Sequence, residues 1–384
     1  MQKPPLIKFN VILFTVLTLI TLIGVPYWAM TIGFNGFEIA TTIFLFFFTG
    51  MSITAGYHRL WSHKAYEANS FVRFVLAVGG AMTLQNSILH WASDHRVHHK
   101  HVDVNDKDPY SAKRGFWFSH MGWMLREYQS ERYTDYSNCR DLQKDKIVMW
   151  QHNYYVPIVL LANFGITALL GYLNGSILGM VLLAGVARIV MVHHVTFFIN
   201  SLCHIWGKQT YTDVNTAKDN GILALFTFGE GYHNFHHIFE YDYRNGIRWW
   251  HYDPTKWLIK SLSVLGMAKN LRKCPEDRIQ QAKFSMQLLK AQNKIAKYPN
   301  AEILKAKLEE EYAVLLEKCN EYYATKKRLV RVQQRQLQKS VERSVEKVTQ
   351  EKALLQQRCT ELQNAFLLQK ERWNAIYKLQ LLPA

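Results

Sequence analysis

Histidine carries the chemistry this sequence can do. Nine of the 16 histidines are grouped: His58 and His63 in HRLWSH, His95, His98 and His99 in HRVHH, His233, His236 and His237 in HNFHH, and His204 in NSLCH, four residues after Asn200. Neutral imidazole is the commonest protein metal ligand and suits iron, zinc, copper and nickel. Nine such groups exceed what one ion accepts, so the pattern predicts two metals sharing a site. The five cysteines show no CxxC spacing, which disfavours both a thiolate zinc site and a disulfide framework and reads as reduced thiols. No pair of Glu-x-x-His motifs on facing helices suggests the carboxylate di-iron arrangement of ferritin-like bundles.

On a helix, residues three and four apart share a face. His95, His98 and His99 therefore project together, as do His233, His236 and His237, and Asn200 lies above His204. His58 and His63 are five apart, which suits a helix end or two ligands approaching one metal from different sides. His90, His101, His120, His152 and His251 are read as ordinary polar or interfacial residues. His193 and His194 sit in an apolar run and are read as support for the ligands or as lining of a substrate channel.

The elements that position these groups are apolar. A bilayer core of ~30 Å needs about 20 mostly apolar residues in a helix, and four stretches meet that length: 11–30, 37–56, 156–173 and 177–195. The turns Thr31–Gly36 and Asn174–Ser176 contain no Lys or Arg, whereas the stretch from His58 to Tyr155 is rich in both. By the positive-inside rule the turns face away from the cytosol, and the termini and histidine groups face it. A fifth apolar run, 71–89, is interrupted by Arg73, Gln85 and Asn86. Were it to cross, His58 and His63 would be separated from His95, His98 and His99, so it is read as an interfacial helix.

Composition divides the 384 residues in two. Residues 1–274 are aromatic and histidine-rich; residues 275–384 are Lys, Glu, Gln and Leu with almost no Gly. The second part reads as a charged helical extension, coiled coil in character, with Pro299 as its one break before Pro383. Self-association, electron-donor recruitment and contact with anionic lipid are all open to it. The formal net charge of +16, taken with the apolar runs, points to a membrane surface and not to nucleic acid. The fold class expected is an all-α integral membrane protein with a cytosolic helical cap carrying the di-metal site.

The segments GYHRLWSH, WASDHRVHH, DKDPYSAKRGFWFSHMGW, FFINSLCH and GEGYHNFHH resemble the membrane-bound acyl-CoA desaturase family of the stearoyl-CoA type. The likeness covers residues 37–252. It implies two iron ions held by histidine, one by His58, His63, His95, His99 and His237, the other by His98, His204, His233 and His236, with Asn200 holding a water. It also implies dioxygen as co-substrate and an acyl tunnel touching Gln85, Asn86, Trp91 and Asp94, with Arg126 near the headgroup. Phe197 and Phe198 are further candidate tunnel walls. Two departures lie on the headgroup side: Ser93 stands where animal members carry a basic residue, and Arg126 is followed by Glu127 where they carry a basic pair.

The implied reaction is removal of two hydrogens from a long-chain acyl-CoA or related acyl carrier, at the delta-nine position, giving a cis double bond and water. The protein's share is binding, orientation and exclusion of water. With no dinucleotide fingerprint and no iron–sulfur cysteine cluster in the sequence, a separate ferredoxin or cytochrome is the expected electron donor. The wording HHVTFFINSLCH points to bacterial members and an inner-membrane location. The alternatives are a histidine-box lipid hydroxylase and a catalytically idle membrane scaffold acting through its tail.

Overall fold

A computed structural model of the protein describes residues 4–338 and 342–381. The chain divides into two compact units, residues 1–209 with 213–273, and residues 210–212 with 274–384.

The first unit opens with two long apolar helices, α1 (Lys8–Thr31) and α2 (Gly36–Ser62). Two shorter helices follow, α3 (Ser70–Ala81) and α4 (Ile88–His101). A second apolar pair, α5 (Tyr155–Leu173) and α6 (Ile177–Ile205), precedes the short helix α7 (His233–Ile238). Helices α1, α2, α5 and α6 are the four, among the described residues, long and apolar enough to cross a bilayer.

Local chemistry starts α2 where it starts. The Asn35 side chain accepts from the N–H groups of Phe37 and Glu38, and Glu38 accepts from the Asn35 N–H at 2.8 Å, a reciprocal cap that satisfies donors the first helical turn cannot. The other Glu38 oxygen accepts from Ser176 Oγ at 2.6 Å. The two turns that lack basic residues are thereby joined, which places them on one side.

Two helices run further than hydropathy alone predicts. Helix α2 continues from the expected end at 56 to Ser62, and α6 from 195 to Ile205. Their 27 and 29 residues exceed the roughly 20 that a hydrocarbon core of ~30 Å needs. The excess carries His58, Asn200 and His204 beyond the apolar layer.

Helix α3 corrects the reading of 71–89 as one interfacial helix. It ends at Ala81, and its 12 residues make about 18 Å of helix, too short to cross. Thr83–Ser87 is an irregular turn in which Leu84 and Asn86 adopt φ of 53° and 77°. Arg188 Nη1 donates to the Met82 carbonyl and His193 Nε2 to that of Thr83, both at 2.7 Å. Gln85 Nε2 donates to Thr196 Oγ1 at 3.0 Å. Helix α3 buries Val72, Leu76, Ala77 and its three terminal small residues on one face and leaves Phe71 and Phe74 exposed on the other. Gly80 is required there, since a Cβ would run into the Tyr57 ring.

The core beneath α2 and α4 contains Tyr57, Trp61, Val72, Leu76, Leu89 and Ala92. A two-residue antiparallel pair, Glu67–Ala68 with Ala268–Lys269, closes the chain over it.

The second unit holds α8 (Glu276–Ile295), α9 (Ala301–Gln338) and α10 (Glu342–Leu381). Their shared core includes Phe284, Leu308, Leu315, Tyr322, Phe366 and Trp373. Tyr322 stacks on Phe366, Tyr312 meets Trp373, and Arg328 pairs with Glu351, so α9 and α10 run antiparallel. The chain therefore reverses a second time after Pro299, without a Gly or Pro to mark it; residues 339–341 lie outside those described. All five cysteines are buried.

Candidate metal centre

The histidines of α2, α4, α6 and α7 converge. His58, His63, His95, His99 and His236 form one group and His98, His204, His233 and His237 a second, each with its ligand-capable atoms within 4.8 Å of one another. The five-residue spacing of His58 and His63 is explained by the backbone. From Ser52 to Ser62 the helix is wound as a π-helix, and the His63 N–H donates to the His58 carbonyl at 3.1 Å. The wider i→i+5 winding brings the two side chains nearer one face than an α-helix would, and their rings meet at 4.8 Å. The assignment of His237 to the first group and His236 to the second is reversed here. Neighbours on α7 point about 100° apart, and spacing does not say which one turns to which group.

The nitrogens meet through Nε2. The Nε2 atoms of His58 and His99 each lie 3.0 Å from that of His236, and those of His63 and His95 lie 2.8 Å apart. In the second group His233 Nε2 is 3.1 Å from His204 and 3.0 Å from His237, and His98 is 3.4 Å from His237.

Acceptors fix the tautomers of four rings. His58 Nδ1 meets Glu230 at 2.9 Å, His98 Nδ1 meets Asp108 at 2.8 Å, and His99 Nδ1 meets Glu240 at 3.0 Å. His204 Nδ1 meets Thr216 Oγ1 at 2.8 Å, and that hydroxyl donates to Asp103 at 2.8 Å, so it accepts from the ring. Each of these rings therefore holds its proton on Nδ1 and turns a bare Nε2 lone pair inward. Lone pairs 3 Å apart repel unless a cation lies between them. Two nitrogens bound to one ion at ~2.1 Å and at right angles would stand about 3 Å apart, so the residues present fit a metal pair.

Electrostatics favour the same form. Burial, then the neighbouring imidazoles, hold His63, His95, His233, His236 and His237 well below the ordinary histidine range and bring His99 to about 4. These rings are neutral ligands at neutral pH. Burial would raise the Glu230 carboxyl, but His58 and Arg59 outweigh it and bring it to about 2. Arg59 is itself buried and binds both Glu230 (2.8 Å) and Asp253 (3.0 Å).

Beside the histidines lies a cavity of about 400 Å³, lined by His58, His95, Asn200, Glu230 and His233 on one part and by Phe9, Leu13, Phe14, Leu17, Leu160 and Phe164 on another. Such a mix of apolar wall and few polar groups is typical of small-molecule sites. A second, polar hollow of about 370 Å³ is lined by Ser62, His63, Lys64, Arg96, His99, Lys100 and Glu240.

The model of the family described as fatty acid desaturase matches residues 37–266. This chain belongs to the fatty acid desaturase family. The chain is 47% identical over 239 residues to a probable acyl-CoA desaturase of Schizosaccharomyces pombe, covering 62% of this chain and 50% of that protein. It is 42% identical over 257 residues to acyl-CoA desaturase 1 of Saccharomyces cerevisiae, covering 67% and 50%, and 36% identical over 247 residues to stearoyl-CoA desaturase 5 of Bos taurus, covering 62% and 72%. It thus spans about half the length of the two fungal desaturases.

Among the substrate residues expected for a desaturase, Gln85, Asn86, Trp91 and Asp94 all line the cavity, as do Phe197 and His193. Phe198 does not; it packs on His120. Arg126 stands apart, donating to the Pro4 carbonyl at 2.6 Å. Ser93 bonds Asn138 at 2.8 Å. Sequence reasoning passed over Asp108, Glu230 and Glu240, although the first two lie inside the quoted desaturase segments and Glu230 forms a lone Glu-x-x-His with His233. It also passed over Arg132, which binds Asp94 at 2.6 Å and lines the cavity beside it; His90, read as an ordinary polar residue, lies 3.4 Å from Asp94 and lines the same cavity.

Proposed function

We propose that this chain introduces a cis double bond into a long-chain fatty acyl thioester, using two iron ions and dioxygen. The observation that carries the reading is the convergence of nine bare or neutral imidazoles on two foci at the wall of a mainly apolar cavity, in a chain of the desaturase family. One iron would be held by His58, His63, His95, His99 and His236, the other by His98, His204, His233 and His237, with Asn200 supporting a water. Bound iron with dioxygen supplies the oxidant that an unactivated methylene requires.

The chain's own residues do the rest. Glu230, Asp108, Glu240 and Thr216 hold four ligands in the tautomer that faces the metal. Trp91 stacks on His95 at 4.9 Å and, with Phe197 and the Gln85–Thr196 contact, forms the wall that seats one stretch of acyl chain beside the metals. Fixing the chain in one register is what selects a bond position, for which delta-nine is the reading, and it lowers the barrier by removing orientational freedom. The buried Asp94–Arg132 pair offers a polar end to the cavity, suited to the thioester side of an acyl-CoA.

Electrons enter from a separate acidic carrier protein. The polar hollow supports this, because Lys64, Arg96 and Lys100 surround Glu240, His63 and His99 there and a basic rim steers an acidic partner. Residues 1–274 form the desaturase domain and residues 275–384 an extension. The unit crosses a membrane four times with the site and termini on the cytosolic side, in a bacterial inner membrane.

Gas chromatography of fatty-acid methyl esters from a host lacking its own desaturase tests the proposal. Expression should produce a monounsaturated acid absent from a control in which His233, His236 and His237 are replaced by alanine. A hydroxy acid in its place would make the chain a hydroxylase. No new product from membrane-inserted, iron-loaded protein with a supplied donor would make it an idle scaffold.

A further inference from the structure

The charge of the second unit is concentrated at one end. In the sequence, residues 326–358 hold ten basic against three acidic residues, while the rest of 274–384 is close to balance with eleven against ten; the described parts of that stretch, 326–338 and 342–358, belong to α9 and α10. Lys326, Lys327, Arg328, Arg331 and Arg335 are all exposed. Lys327, Arg331 and Arg335 recur every four residues and so form a stripe on one face of α9. Arg328 pairs with Glu351 at 3.0 Å; none of the other four has a carboxylate partner among the described residues.

We propose that this basic end of the α9–α10 hairpin docks on the headgroups of anionic phospholipid. Three observations select that partner. No aromatic residue lies between Tyr323 and Phe366, so the patch has no platform on which nucleic-acid bases could stack. Val330 and Leu354 are exposed aliphatic side chains within it, 43% and 68% accessible, of the kind that seat shallowly among headgroups. Finally, the unit is covalently continuous with four apolar helices, so a bilayer surface is presented at high effective concentration and modest intrinsic affinity suffices. Lys and Arg near an anionic surface each add to binding and lose it as salt screens them. The proposal stands on the membrane helices and does not depend on the desaturation reading.

The test uses the full-length chain in nanodiscs of phosphatidylcholine, mixed with sedimentable vesicles. Co-sedimentation is expected with vesicles containing roughly 30% phosphatidylglycerol, not with pure phosphatidylcholine, and should weaken steeply with salt. Replacing Lys326, Lys327, Arg328, Arg331 and Arg335 by Glu should lower vesicle affinity at least about thirty-fold, and by Gln somewhat less, with iron content and product formation unchanged. Gln variants guard against a folding artefact, because they keep helix-forming side chains. Equal binding to pure phosphatidylcholine, equal binding by both variants, or displacement of vesicles by a short RNA or acidic polypeptide at lower concentration would each overturn it.

Discussion

Asp108→Asn isolates the claim that a carboxylate one step removed from the metals sets the ligand's protonation. Asp108 is fully buried. Its Oδ1 accepts from His98 Nδ1 at 2.8 Å and from the Tyr110 N–H at 3.2 Å, and its Oδ2 accepts from the Asp103 N–H at 2.9 Å. An amide cannot serve all three donors. With its oxygen toward His98, the NH₂ group faces the Asp103 N–H and leaves a buried donor unpaired, at a cost of about 1–3 kcal/mol. Turned the other way, the NH₂ group faces His98 Nδ1 and drives the proton to Nε2, the atom aimed at His237. The first orientation loses stability and the second loses a ligand in the group that has only four histidines. Iron affinity should fall 10–100-fold, the range seen when such partners are removed, equivalent to about 1.4–2.8 kcal/mol. The assay is iron retained per protein across a graded chelator series, measured by mass spectrometry, with thermal unfolding in parallel. A lower melting temperature with unchanged iron affinity would refute the tautomer argument and leave Asp108 a loop anchor.

Other outcomes follow from the same geometry. His98→Ala and His236→Ala should each abolish desaturation while the protein still inserts in membranes; normal product from either would remove it from the ligand set. Asn200→Ala should lower turnover without eliminating it if, as proposed, it supports a water, and complete loss would argue for direct ligation. Metal-free protein should lose stability on acidification from about pH 6.5 toward 4. His63, His95, His99, His233, His236 and His237 have folded-state values below the ordinary 6.5, so the unfolded chain binds more protons in that window; a flat unfolding profile there would contradict neutral rings. Arg188→Met leaves the carbonyls of Met82 and Ala184 and the Asn163 side chain without their buried donor. It should cost at least about 2 kcal/mol and disturb the turn carrying Gln85 and Asn86; a wild-type melting temperature and product profile would count against that anchor.

The histidine groups were legible because metal binding constrains residue type and spacing together, as in His95, His98 and His99. Apolar length made the four crossing helices visible for the same kind of reason. Their ends were not, because His58 and His204 lie on helix that outlasts the apolar layer. The π-helical winding of Ser52–Ser62 was only hinted at by the awkward His58–His63 interval. Which of His236 and His237 joins which group depends on how α7 is rotated, a tertiary matter. The break of 71–89 after Ala81 was hidden because its cause lies elsewhere in the chain, in Arg188 and His193 of α6. The reversal between α9 and α10 has no Gly or Pro, so only the antiparallel pairing reveals it. Asp108, Glu230 and Glu240 were missed because an acceptor for a histidine need only be near in space.

A carboxylate ligand does two jobs at once, donating a lone pair and cancelling positive charge. This centre divides the labour. The inward nitrogens give lone pairs without charge, while Glu230, Asp108 and Glu240 sit on the far sides of three imidazole rings and give charge without lone pairs. With metals bound, each ring would work as a conductor between the two: positive charge on its inner nitrogen would draw the proton on the outer one further toward its carboxylate. Neutralisation would thereby be graded and reversible, drawn from the periphery in proportion to demand, with the inner nitrogens left in place.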